Sequence, residues 1–133
     1  MEAREKVHVW AGDLPDTDAF KTEEISPEVI RVAVERIVRA FRPEMIYLFG
    51  SRARGESTQE SDLDFLVVME SDRPRAERRG IVSNVVRPRF FPMDIVVYTP
   101  DEFKEAADHE DYWFNPFIKD IINEGIILYD RSA

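Results

Sequence analysis

Ile46-Tyr47-Leu48-Phe49-Gly50-Ser51, ten further residues, and then Asp62-Leu63-Asp64-Phe65-Leu66-Val67-Val68 form the stretch that decides how this chain folds. Both apolar runs are rich in strand formers, and the first stops at Gly50, where backbone can approach a ligand with no side chain in the way. Side chains alternate along a strand, so Asp62 and Asp64 are expected on one face while Leu63 points into the core behind them. Two carboxylates on one face can bridge a pair of divalent cations. Met93-Asp94-Ile95-Val96-Val97 supplies a later strand and a third carboxylate. Three aspartates without a histidine or cysteine cluster suit Mg²⁺, a hard cation that keeps several waters and takes further ligands from substrate phosphates.

The turn supplies the other half of the chemistry. A helical turn starting near Ser51 would aim backbone N–H groups and a hydroxyl at a polyphosphate. Arg52 and Arg54 follow at once, and guanidinium forks match phosphate oxygens. Gly55 then ends the turn. A phosphate turn, paired carboxylates and a third carboxylate together make the equipment of two-metal phosphoryl transfer.

Gly50-Ser51-Arg52-Ala53-Arg54-Gly55-Glu56 through Ser61-Asp62-Leu63-Asp64-Phe65-Leu66-Val67-Val68 resembles the core motif of the DNA polymerase β-like nucleotidyltransferase superfamily. Within it the chain is most similar to the minimal nucleotidyltransferases, which are little more than the catalytic domain. The resemblance spans about residues 27 to 129 and includes the closing Ile121-Ile122-Asn123-Glu124-Gly125-Ile126-Ile127-Leu128-Tyr129. It implies an α/β (α+β) fold: a mixed β-sheet of about four strands with flanking helices.

The resemblance also implies an enzyme that moves a nucleoside monophosphate, AMP from ATP, onto an acceptor hydroxyl. Asp62 and Asp64 would hold two Mg²⁺ ions, with Mn²⁺ as a substitute. Asp94 would complete one metal site and help deprotonate the acceptor. Gly50 and Ser51 would contact the triphosphate, joined by Arg52 and Arg54. Minimal nucleotidyltransferases are often paired with a small helical HEPN-type protein in toxin-antitoxin systems, and some silence it by attaching AMP to a tyrosine. A protein partner of that kind or a homo-oligomer is therefore expected, with a non-catalytic antitoxin subunit that masks a partner as the alternative. The chain lacks the extra domain that binds the acceptor in aminoglycoside nucleotidyltransferases and polymerases, which argues against nucleic-acid synthesis. The missing cleft wall is expected from a second copy, a partner or residues 1–25.

At 133 residues the chain fits one domain, read as an N-terminal extension over 1–25 and a nucleotidyltransferase domain over 26–133. A chain of this size buries roughly two-thirds of its unfolded surface without staples. The absence of cysteine excludes disulfides, zinc-thiolate sites and cysteine nucleophiles and fits a reducing cytoplasm. No apolar stretch approaches the roughly 20 residues needed to span a bilayer, and no Gly-x-x-x-x-Gly-Lys-Ser/Thr loop supports a kinase.

The net charge of −9 argues against binding nucleic acid through its phosphates. Residues 1–30 sum to −5 and residues 99–133 to −6, whereas residues 71–98, with Arg73, Arg75, Arg78, Arg79, Arg87 and Arg89, sum to +3. That basic stretch reads first as a solvated helix face and second as a docking surface.

Ser26-Pro27 opens a helix with a cap and a first-turn proline. Ile30, Ala33, Val34, Ile37, Val38 and Phe41 share its stripe, and Pro43 closes it. Strands are expected at about 45–49, 62–69, 93–98 and 126–129, with helices near 74–87, 100–108 and 115–124. Val7-His8-Val9-Trp10 reads as a short added strand, Phe90 and Phe91 as a linker against the core, and His8 and His109 as surface residues. Tyr112-Trp113-Phe114 with Phe117 reads first as core packing and second as a contact with another protein.

Overall fold

The computed structural model describes residues 25–56, 62–87, 89 and 91–133; the expected strand at Val7–Trp10, His8 and Phe90 lie outside them. The first helix, α1 (Pro27–Phe41), starts as its sequence dictates: Ser26 accepts from the Val29 N–H at 3.3 Å, and Pro27 occupies the first turn. It ends at Arg42, a left-handed residue with φ of 49° whose N–H returns to the Val38 carbonyl. The apolar stripe is wider than the sequence suggests, because Val29 and Val32 are buried as well as Ile30, Ala33, Val34 and Ile37.

The rest of the chain runs β1 (Met45–Phe49), β2 (Leu63–Val68), α2 (Arg75–Ser83), β3 (Met93–Tyr98), α3 (Pro100–Asp108), α4 (Pro116–Glu124) and β4 (Ile126–Asp130). A 3₁₀ turn at Asn84–Val86 follows α2, and another at Tyr112–Phe114 precedes α4. The helix expected to run to residue 87 thus ends early. The strand expected to start at Asp62 begins at Leu63.

The four strands lie in the order β3-β2-β1-β4, with β2–β3 parallel and both β1 pairings antiparallel. This is the mixed α/β sheet expected. On one face Ile46, Leu48, Leu63, Phe65, Val67, Ile95, Val97 and Leu128 meet α1 and the segment around Val82, Val86 and Phe91. The other face carries a smaller core in which Tyr47, Leu66, Val68 and Tyr98 meet Ala106, Ile118 and Ile121 of α3 and α4.

Register arranges this second face in rows. Met45, Val68 and Tyr98 form one, Tyr47, Leu66 and Val96 the next, and Phe49, Asp64 and Asp94 the third. The two apolar rows are the ones α3 and α4 pack against, so the face turns acidic at one end.

The basic stretch is largely the solvated face of its first reading, with Arg73, Arg75, Arg79 and Arg87 exposed, but Arg78 departs from it. Arg78 is 7% exposed and grips Glu102 with two bonds, Nη1 to Oε1 at 2.7 Å and Nη2 to Oε2 at 3.3 Å. Glu102 also completes a capping box with Thr99 at the start of α3. Arg78 Nη1 and Arg79 Nε reach the carbonyls of Val97 and Ile95 on the outer edge of β3. Arg75 lies over the Tyr98 ring at 4.4 Å. The arginines therefore fasten α2 along an edge strand that would otherwise offer its carbonyls to another chain. No helix among the described residues is long and apolar enough to cross a membrane.

Candidate active site

Gly50 sits where β1 runs out, with φ at +80°, a conformation that side-chain-bearing residues rarely adopt. The chain then curls into one helical turn: the N–H groups of Ala53 and Arg54 return to the Gly50 carbonyl at 3.1 and 3.3 Å, and that of Glu56 to Ser51 at 2.9 Å. A second reason for glycine is steric. A Cβ at position 50 would overlap Asp64 Oδ2 and stand 3.2 Å from its Cγ. The Gly50 turn and the Asp64 carboxylate therefore share one small volume.

Asp64 and Asp94 are register partners on parallel strands, so they lie on one face a strand spacing apart, about 4.8 Å. Asp62 is exposed and just precedes β2, while Leu63 is buried in the opposite core. Burial pushes the Asp64 carboxyl above its ordinary value, and the negative charges of Asp62 and Asp94 push the same way; Arg52 and Arg54 oppose them. The three aspartates and two arginines expected of the site are thus electrostatically coupled at one end of the sheet. Ser51 and Arg52 are half-buried in the turn, and exposed Arg54 donates from Nε to Glu56 at 3.0 Å.

Could this end of the sheet hold a divalent cation? The donors are all carboxylate oxygens, and their crowding is the kind of negative charge that a cation relieves. Among the described residues no group of three or more His, Cys, Asp or Glu side chains is placed to hold a metal ion, so Asp62, Asp64 and Asp94 do not converge as the three-aspartate site expected. Arg79, unanticipated from the sequence, pairs with Asp94 Oδ1. Such an arrangement suits Mg²⁺ held by one or two carboxylates and completed by substrate oxygens and water.

Beside the turn, Phe49, Gly50, Ala53, Arg54, Phe117, Asp120, Ile121, Glu124 and Gly125 line a cleft of about 180 Å³. Phe49 and Phe117 meet edge to face at 5.3 Å between centroids on its apolar side. Gly125 lets β4 leave α4 tightly, since a Cβ there would lie 2.6 Å from the Ile121 carbonyl oxygen. Asp120 and Glu124, four residues apart on α4, give this wall its charge, and that spacing was the one signal of it in the sequence.

Tyr112-Trp113-Phe114 overturns the core reading. Trp113 is 77% exposed, with Tyr112 and Phe114 exposed beside it. Asp111 caps the short turn by accepting from the Trp113 N–H at 2.9 Å, and Tyr112 donates its hydroxyl to Asp120 at 2.7 Å. Phe114 stacks on half-exposed His109 at 4.0 Å.

The site thus sets a glycine turn against one carboxylate, with a second carboxylate across a parallel strand pair. The nucleotidyltransferase domain model matches residues 30–128, and the chain belongs to that family of enzymes. It is 31% identical over 88 residues to a Methanocaldococcus jannaschii protein provisionally named a protein adenylyltransferase, covering 66% of this chain and 80% of that one. Among solved structures, a provisionally assigned nucleotidyltransferase from Sulfolobus solfataricus superposes with a TM-score of 0.55 at 25% identity, over 80% of this chain and 81% of the other. A toxin-antitoxin structure with AMP-PNP gives a TM-score of 0.46 at 19% identity, over 74% of this chain and 71% of the other, too weak a likeness to build on.

Proposed function

We propose that the chain transfers AMP from ATP to a hydroxyl of a protein acceptor in the cytoplasm. The observation that carries this reading is the packing of Gly50 against Asp64 in register with Asp94, which supports a triphosphate role for the turn beside the carboxylate pair. The name of the M. jannaschii relative favours adenylyl transfer and a protein acceptor. Asp62, Asp64 and Asp94 are the residues that would hold Mg²⁺ or Mn²⁺, and bound there the ions would acidify the acceptor hydroxyl and offset triphosphate charge.

The chain's own residues do the positioning. Gly50 and Ser51 bind the triphosphate along the turn, and Arg52 and Arg54 draw negative charge toward it. The acceptor oxygen attacks the α-phosphorus, forming an O–P bond as the bond to the β-phosphate oxygen breaks. Pyrophosphate leaves, and the hydroxyl proton passes to the Asp94 carboxylate.

The test is to incubate the full chain with Mg²⁺, candidate acceptor protein and ATP labelled in either the α- or γ-phosphate. Label should move from the α position alone, and Asp62→Asn with Asp64→Asn should slow it at least about a thousandfold. Transfer of γ label, or transfer unaffected by EDTA, would overturn the reading. A masking role without chemistry is the second reading, favoured by the exposed Trp113 turn.

A further inference from the structure

We propose that the exposed Tyr112-Trp113-Phe114 turn and the carboxylates around it form a docking surface for a basic, partly apolar protein segment. The partner's segment would lie across the turn and present its hydroxyl to the neighbouring cleft. Delivery of a hydroxyl rests on the function proposed above; docking itself does not.

Three observations carry the proposal. The first is the cost of leaving Trp113 77% exposed on a turn that the protein builds deliberately, with Asp111 capping it and Tyr112 tied to Asp120. Aromatic anchors of this kind dominate binding energy at protein interfaces.

The second is charge. Residues 100–124 hold eight carboxylates and two lysines. Glu102 is held by Arg78 and Asp108 by Lys104, which leaves six carboxylates against Lys119, itself donating to the carbonyls of Ala107 and His109. An acidic frame around an aromatic turn selects a cationic partner. It repels nucleic acid, anionic lipid and a second copy of the same surface.

The third is continuity. Tyr112 bonds Asp120, and Asp120 lines the cleft that also contains Gly50 and Glu124. A segment seated on Trp113 would thus border the reaction site. No separate acceptor domain would be needed.

The test uses two fluorescein-labelled amphipathic peptides with the same apolar face and a single tyrosine, one with lysine and arginine at its polar positions and the other with glutamate. Anisotropy is read against the full chain without ATP or metal. The basic peptide should bind, and the acidic one should not. Trp113→Ala should weaken binding at least about tenfold, Glu110→Lys should weaken it several-fold, and so should raising the salt from about 0.05 to 0.5 M.

Asp62→Asn with Asp64→Asn should bind the basic peptide like the parent. Lost AMP transfer with docking retained would count against the proposed function alone. The docking proposal fails if the basic peptide does not bind, if the acidic one binds equally, or if Trp113→Ala binds like the parent. It also fails if sedimentation shows a homodimer that Trp113→Ala dissociates. An unchanged unfolding midpoint for Trp113→Ala, checked alongside, keeps a binding loss from being a folding loss.

Discussion

Arg78 and Arg79 leave the same turn of α2, yet one is buried with both of its terminal nitrogens on Glu102 while the other lies at the surface against Asp94. The Arg78–Glu102 pair is closed. Its remaining hydrogen bonds go to the Arg73 and Val97 carbonyls and to the backbone of Thr99. The hydrogen bonds from Arg78, aided by the Thr99 backbone and outweighing burial, hold the Glu102 carboxyl down at about 2 instead of 4.5. Arg79–Asp94 is open, half in water, and set beside a second carboxylate that is pushed the other way. Satisfied charge fastens an element, whereas crowded charge with spare oxygens is available for a ligand.

Breaking the closed pair should have the largest effect on the fold. Arg78→Met leaves Glu102 without its main partner and should cost about 3 kcal/mol in urea denaturation. The pH dependence follows from the depressed carboxyl. The unfolded state binds the proton more readily, so the pair's contribution is fully present above about pH 4.5 and is lost as pH falls through about 2. Glu102→Gln should therefore be less stable than the parent at neutral pH, with the gap narrowing across that window. A constant gap from pH 7 to 2 would show that the carboxylate's charge is irrelevant.

Gly50→Ala sharpens the comparison from the other side, because its methyl would enter the volume of Asp64 Oδ2 at a positive φ. Misplacing a reacting group by an ångström costs on the order of a hundredfold in rate. AMP transfer should fall by about that much, while the backbone strain should cost about 1–2 kcal/mol of stability.

Arg79→Met should do least to the fold, under about 1 kcal/mol, since the pair is largely exposed. It removes a cation that competes for Asp94, so Mn²⁺ followed by electron paramagnetic resonance should bind a few-fold more tightly. Weaker binding would mean that Arg79 instead holds Asp94 ready for the metal.

Much of this was legible before any coordinate. The Gly50 turn, the four strands and the Ser26 cap are local features, and each is written in a short run of residues. Arg78 was not legible, since its partner lies 24 positions away and nothing in the sequence distinguishes it from Arg79. The cleft wall was nearly invisible for the same reason: Phe49 and Phe117 come from distant segments. Tyr112-Trp113-Phe114 was misread because a three-residue turn has no periodicity to say which way its rings face.

β1 lies in the middle of the sheet, but its neighbour β4 comes from the far end of the described chain, with Met45 opposite Asp130. A ribosome delivers β1, β2 and β3 first, leaving one edge of Ile46-Tyr47-Leu48 unpaired until α4 and β4 arrive. Closing so long a loop is entropically late work. Phe117, Asp120 and Glu124 arrive with that last element, so the cleft is assembled after the carboxylates it borders. A nascent chain stalled before α4 would display an unpaired strand edge to chaperones, and it would have the acidic corner of the enzyme without the wall that shapes it.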